Sequence, residues 1–177
     1  MNEIELAIPG VKVFTPRVFG DDRGFLFESF RANWLPEASF VQDNHSQSSK
    51  GTLRGLHYQL DNPQGKLVRV VRGEVFDVAV DIRQSSKTFG QWISRVLSED
   101  NKELFWVPPG FAHGFLVLSE TADFVYKCTD YYTPGDEYGI RWDDPTLGIE
   151  WPDLGVPPNL SEKDLAAPLL GAAALYT

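Results

Sequence analysis

The chain has 177 residues, 42% of them hydrophobic and 13% aromatic, and a formal net charge of −9 at pH 7. That is length enough for one domain, residues 1–177, with apolar content enough for a sizeable core, which excludes an intrinsically disordered chain. The acidic balance argues against a nucleic-acid partner, whose docking face would normally be basic, and the single cysteine, Cys128, excludes an internal disulfide framework and fits a reducing compartment.

Met1–Gly10 lacks a basic stretch followed by an apolar core, so no signal peptide is expected. Val11–Phe14 and Phe25–Phe30 read as strands, Arg31–Ala38 as a short helix, and Phe40–Asn44 as a further strand. Leu53–Leu60 and Lys66–Val71 follow, separated by a turn through Asn62-Pro-Gln-Gly65. Alternation is strongest over Glu74–Arg83, where Phe76, Val78, Val80 and Ile82 share one face and Asp77, Asp81 and Arg83 share the other with Val75 and Ala79. Trp92–Leu97, Glu103–Val107, Phe111–Leu118 and Ala122–Asp130 continue the series, with Pro108-Pro-Gly110 a firm turn between two of them. Beyond Asp143 prolines break regular structure, yet Trp151, Leu154 and Leu160 predict a tail packed on the body. Ser161–Leu165 can start a short helix with Ser161 as its cap and Asp164 in its first turn. The longest uncharged stretch near the end, Leu165–Thr177, contains Pro168 and Gly171, and no run is long enough to span a membrane. A soluble, cytoplasmic, all-β sandwich or barrel is expected, with no membrane partner.

The densest chemistry lies in Arg54-Gly-Leu-His57, followed nine residues later by Lys66. With only three histidines in the chain, His45, His57 and His113, each can be weighed separately. A strand histidine often does no more than satisfy a core hydrogen bond. An imidazole beside fixed cations, however, is what removal of a carbon-bound proton needs. Arg54 and His57 have opposite parity on an ideal strand, so both enter one pocket only if the strand is irregular between them. Gly55 supplies the place for a bulge.

His113, among the inward-looking Phe111, Phe115 and Val117, reads equally as a buried structural residue, a substrate contact or a metal ligand. A metal site would draw on His57, His113 and Glu74 or Asp81. Gln59 stands where a second imidazole would be expected, which disfavours a metal. Tyr126 is either a packing residue or an acid that returns a proton opposite a histidine, and Tyr132 can offer a ring to a nucleobase. Arg23 and Glu28 fit a surface ion pair, and Gln42 and Asn44 fit either an ordinary polar loop or amides reading a pyrimidine edge.

Taken together, the segments Phe19–Phe25, Phe40–Ser46, Leu53–Tyr58, Gly65–Arg69, Gly73–Arg83, Val107–Gly114, Tyr126-Lys127 with Tyr131-Tyr132, and Gly139–Asp143 resemble the dTDP-4-dehydrorhamnose 3,5-epimerase family. This is a metal-free branch of the cupin superfamily, and the resemblance runs over almost the whole chain. It implies a cupin-type double-stranded β-helix, a jelly-roll barrel, with short helices and a packed irregular C-terminal tail. It further implies His57 as the base, Asp164 as its orienting carboxylate, Tyr126 as the opposing acid and Lys66 as the group that stabilises the enolate. By the same resemblance Arg23, Glu28, Gln42, Asn44 and Arg54 contact the nucleotide and Lys163 lies near the phosphates. His113 and Glu137 meet the substrate, and Tyr132 stacks on thymine. The implied reaction inverts C3 and C5 of dTDP-4-dehydro-6-deoxy-D-glucose without a cofactor, in a homodimer whose N-terminal strands, with Val11–Phe14 as the exchanged edge, extend the partner's sheet. A mono-epimerase acting at C3 or C5 alone is the main alternative. A non-catalytic sugar-nucleotide-binding cupin and a metal-dependent cupin stand behind it.

Overall fold

The computed structural model describes residues 1–177. Thirteen strands run in chain order as β1 (Asn2–Glu5), β2 (Lys12–Thr15), β3 (Phe19–Asp21), β4 (Gly24–Leu26), β5 (Gln42–Ser49), β6 (Leu53–Gln59), β7 (Lys66–Arg72), β8 (Glu74–Asp81), β9 (Trp92–Ser98), β10 (Leu104–Val107), β11 (Phe111–Val117), β12 (Thr121–Cys128) and β13 (Glu137–Gly139). One α-helix, α1 (Glu162–Leu165), and two 3₁₀ turns complete them. A six-stranded sheet in the order β1-β2-β10-β7-β12-β5 faces a five-stranded sheet in the order β13-β6-β11-β8-β9, while β3 and β4 form a separate hairpin. Every strand pairing is antiparallel. This is the expected all-β architecture, with the two-sheet layering of a cupin barrel.

The core lies between the sheets, where Val68, Val70, Phe105 and Phe124 of the larger meet Val75, Ala79, Phe111 and Phe115 of the smaller. Both faces of β8 are covered. Val75 and Ala79 point between the sheets, whereas Val78, Val80 and Ile82 point outward and are buried by the C-terminal tail through Ile140, Leu147 and Leu170. The tail therefore packs on the body as predicted, with Trp151 against the same cluster. The outer face of the larger sheet is covered in turn by Phe30, Trp34, Leu35 and Phe40 over Phe14, Leu67 and Trp106.

Three expectations are corrected. The strand foreseen at Phe25–Phe30 is only β4, because Phe27 and Phe30 leave the hairpin to cover other groups: Arg69 lies over the Phe27 ring and Phe30 packs on the larger sheet. Arg31–Ala38 contains just the 3₁₀ turn Ala32–Trp34, since Pro36 cannot donate within a helix and Leu35 is drawn fully into the core. Val11–Phe14 is not a free edge in the chain. Lys12–Thr15 is paired on one side with β1 and on the other with β10, so the exposed edge is Asn2–Glu5.

Candidate active site

The site is set by an irregularity in β6. His57 pairs with His113 and Arg54 with Phe115, so two residues of β6, Gly55 and Leu56, oppose the single Gly114 of β11. Such a bulge resets the side-chain alternation and gives Arg54 and His57 the same face, as the sequence required. Only glycines fit there. Gly55 has φ +129°, and a Cβ on it would lie 2.6 Å from the Gly114 Cα and 2.9 Å from the His113 carbonyl oxygen. Leu56 locks the bulge by exchanging backbone hydrogen bonds with Ile140.

Asp164 reaches this bulge from the far end of the sequence. Ser161 caps α1, its hydroxyl accepting from the Asp164 amide at 3.1 Å and donating to the Asp164 carboxylate at 2.8 Å. The other carboxylate oxygen stands 2.5 Å from His57 Nε2. Burial pushes the Asp164 carboxyl up, but hydrogen bonds from His57, Ser161 and the Gly55 amide outweigh it and hold the group below its ordinary value. The His57 side chain is 28% exposed and that of Asp164 only 4%, so the imidazole is reachable while its partner is not. With Nε2 committed to Asp164, Nδ1 is the nitrogen free to take a proton.

The opposing wall comes from the larger sheet. Its register aligns Gln42, Cys128 and Lys66 in one row and Asn44, Tyr126 and Val68 in the next. Val68 faces the core between the sheets, so both rows face the smaller sheet. Burial raises the Tyr126 phenol, with Cys128 and Glu137 adding to the effect and Arg54 opposing it, so the hydroxyl keeps its proton at neutral pH. Burial lowers the Lys66 ammonium, resisted by the fields of Cys128, Glu137 and Asp77. The registers of β6 with β11 and β13, and of β7 with β12, turn Arg54 and His57 on one sheet toward Lys66 and Tyr126 on the other, with Glu137 at the end of β13. Arg54 is steadied at 3.0 Å by the Ser48 hydroxyl, and the Asn44 amide donates to the Cys128 sulfur at 3.6 Å.

Glu137, Lys163 and Tyr132 form the rim. Glu137 is bonded to the Lys163 ammonium and accepts from the Tyr132 hydroxyl at 3.1 Å. Burial raises its carboxyl, yet Lys163 foremost, together with His57 and Tyr132, brings it below the ordinary value. The Tyr132 amide donates to the Gln42 side-chain oxygen at 2.9 Å, leaving half of the aromatic side chain open to solvent. His57, Glu137, Lys163 and Asp164 line one continuous cleft.

His113 is buried, its Nε2 lying 2.8 Å from the carboxylate of Asp77. No three His, Cys, Asp or Glu side chains converge in a metal-holding arrangement. Glu74 belongs to the opposite face of β8 from Val75 and Ala79, and Asp81 is occupied by Arg83, Ser86 and Thr88.

Eleven of the thirteen residues named from the sequence thus meet around the gap between the sheets. Arg23 and Glu28 do not: Arg23 bonds to Asp21 within the β3–β4 hairpin and Glu28 to Arg31, both exposed. The segment after that hairpin covers the outer face of the larger sheet, with that sheet between it and His57. The sequence reading missed Asp77 as a member of the cluster. An acid among Val75, Val78 and Ala79 was the available signal.

A base with a buried carboxylate on one wall, and a protonated phenol and an unpaired ammonium on the other, can remove a proton from an acidic carbon. They can then hold the resulting anion and return a proton from the opposite side. The family model for dTDP-4-dehydrorhamnose 3,5-epimerase matches residues 5–172. The chain is 59% identical over 169 residues to the dTDP-4-dehydrorhamnose 3,5-epimerase of Pseudomonas aeruginosa, covering 93% of each protein. It is 58% identical over 170 residues to the enzyme of that name from Neisseria gonorrhoeae, spanning 94% of this chain but about half, 52%, of that longer relative. Among solved structures it is similar to the dTDP-6-deoxy-D-glucose-3,5-epimerase of Legionella pneumophila in complex with dTDP-4-keto-L-rhamnose. The TM-score is 0.93 at 56% identity, over 97% of this chain and 93% of that one.

Proposed function

Since the chain belongs to the dTDP-4-dehydrorhamnose 3,5-epimerase family, we propose that it converts dTDP-4-dehydro-6-deoxy-D-glucose into dTDP-4-dehydro-L-rhamnose by inverting C3 and C5. The observation that carries this reading is His57 on one sheet, backed by Asp164 of α1, facing Tyr126 and the unpaired Lys66 on the other. His57 Nδ1 takes the proton from a carbon flanking the C4 ketone. The electron pair of the broken C–H bond moves into the ring and onto the ketone oxygen, forming an enolate. Lys66 meets that developing charge, and Asp164 stabilises the imidazolium. The Tyr126 hydroxyl then gives a proton to the opposite face of the same carbon, leaving tyrosinate and imidazolium to re-equilibrate with solvent. Repetition at the second flanking carbon completes the product. Hydrogen moves only as protons, so the balance requires no redox cofactor.

In this reading residues 1–177 act as one catalytic domain. Arg54, Gln42 and Asn44 hold the nucleotide, Lys163 exchanges Glu137 for a phosphate, Tyr132 stacks on the base, and Glu137 and His113 contact the sugar. Arg23 and Glu28 lie beyond the larger sheet from their own pocket, so their role as nucleotide contacts requires a second copy of the chain, a homodimer in which N-terminal strands are exchanged. The exposed Phe19, Phe25 and Leu26 of the hairpin are suited to burial in such a contact. A cytoplasmic place in dTDP-L-rhamnose synthesis, feeding surface polysaccharides such as lipopolysaccharide O-antigen, is consistent with a nucleotide-sugar substrate. Incubation with dTDP-4-dehydro-6-deoxy-D-glucose in deuterium oxide, read by proton NMR, tests the assignment. The signals of both H3 and H5 should vanish as the L-sugar appears, whereas exchange at one carbon alone would identify a mono-epimerase.

A further inference from the structure

Two groups on facing walls of the site, the buried Asp77 and the half-buried Lys66, lack what each other offers. Asp77 has no exposed surface; one oxygen accepts from His113, and the other has no hydrogen-bond partner. A buried carboxylate oxygen left without a donor is costly and rarely kept without cause. Across the gap Lys66 makes no hydrogen bond or ion pair with any side chain, yet Asp77 is among the carboxylates whose field it feels. The register explains the arrangement. Asp77 sits opposite Phe115, one row from His113, on the face of β8 that Val75 and Ala79 turn toward the larger sheet.

We propose that Asp77 is a positioning residue of the reaction: one oxygen fixes the His113 ring with its Nε2–H inward, and the other supplies the counter-charge that keeps Lys66 an uncommitted ammonium. The inference rests on the proposed epimerase reading and deepens it. A carboxylate in contact with Lys66 would occupy the N–H groups that the enolate oxygen needs. One that makes no ion pair with it stabilises the charge without consuming the donors. Anchoring Nε2–H also leaves His113 Nδ1 as the nitrogen that faces the substrate, so the same carboxylate sets what His113 presents.

The titratable groups whose fields reach Lys66 are Cys128 on β12, with which it is in register, Glu137 on β13 and Asp77 on β8. Burial pushes the Asp77 carboxyl above its ordinary value, and His113 and then Lys66 pull against it in favour of the charged form. Among the groups that raise the Lys66 pKa, Cys128, Glu137 and Asp77, only Asp77 is a fully buried carboxylate.

The test is Asp77→Asn, which keeps the shape and removes the charge. The alkaline limb of kcat/KM should move about one pH unit lower. At a pH above that limb the rate should fall roughly tenfold, and acidification should restore most of it, with KM little changed at the lower pH. A merely structural role would lower thermal stability and activity evenly across pH. An alkaline limb that stays in place, whether activity is kept or evenly lost, overturns the proposal. Should the variant not fold, ¹⁵N NMR of the wild-type imidazoles decides: a proton on His113 Nε2 at neutral pH supports the proposal, and an unprotonated Nε2 overturns it. Failure of the epimerase reading is distinguishable, because wild-type protein would then exchange no substrate protons.

Discussion

Gly55→Ala tests whether the β6 bulge builds the site. Gly55 has φ +129° and Gly24 has φ +134°, so an alanine at either position carries a similar backbone penalty, about 1–3 kcal/mol. Their surroundings differ. Nothing lies within 4 Å of a Cβ at Gly24, whereas at Gly55 it meets the Gly114 Cα at 2.6 Å and the His113 carbonyl oxygen at 2.9 Å. Those atoms are backbone and cannot swing aside, which adds a further overpacking cost of about 1–3 kcal/mol. Urea unfolding should therefore show Gly55→Ala to be the more destabilised of the two by that increment. The geometric consequence matters more. Relief of the clash separates β6 from β11 where His57 meets Asp164, so kcat should fall even under conditions where the variant remains folded. Gly24→Ala should leave the His57 geometry untouched. Equal destabilisation of the two variants, with full turnover for Gly55→Ala, would refute the argument that the bulge positions the base.

Other outcomes follow from the same geometry. Asp164→Asn removes the charge that orients and stabilises His57, so kcat should fall by about 10²–10⁴ with little change in dTDP affinity, measured by steady-state kinetics and calorimetry. The Asp164 carboxyl is held below its ordinary value of 3.8, so its contribution to stability is present above that pH and is lost as pH falls through the lower folded value. The difference in melting temperature between wild type and Asp164→Asn should accordingly shrink on acidification. A constant difference would mean the charge does not matter to the fold. Arg54→Ala should weaken dTDP binding by about 1.5–3 kcal/mol in calorimetry, and unchanged affinity would remove Arg54 from the nucleotide site.

Much of the site was legible because its residues sit in conflict with their local pattern. Arg54 and His57 can share a face only through a bulge, and Gly55 was the one residue between them able to make it. Ser161 and Asp164 carry a helix-capping spacing that survives intact at α1. Short elements were illegible for the opposite reason: β1, β3 and β13 span three or four residues, too few to show a period. Phe30 and Trp34 mimic helical spacing over Arg31–Ala38 while serving as anchors on a sheet. The fate of Val11–Phe14 depended on β10, about ninety residues away, where Leu104 pairs with Phe14. Asp77 could not be recognised before its face of β8 was known to point between the sheets, a tertiary fact. Whether Arg23 and Glu28 reach a pocket is a question of assembly, which neither local pattern nor one chain's packing answers.

The central claim is that His57 and Tyr126 work from opposite walls on one carbon, and it is tested most directly by comparing deuterium uptake with inversion in well-folded Tyr126→Phe. This variant keeps the ring and its packing while deleting the hydroxyl. His57 and Lys66 remain, so a proton can still leave and return on one face. In deuterium oxide, with a chelator present, NMR should show exchange at the carbons flanking the ketone with little inverted product, while wild type gives inversion with each exchange and His57→Ala gives neither. Inversion of both centres at the wild-type rate by Tyr126→Phe would contradict the account and pass the acid's role to Tyr132 or to a water molecule.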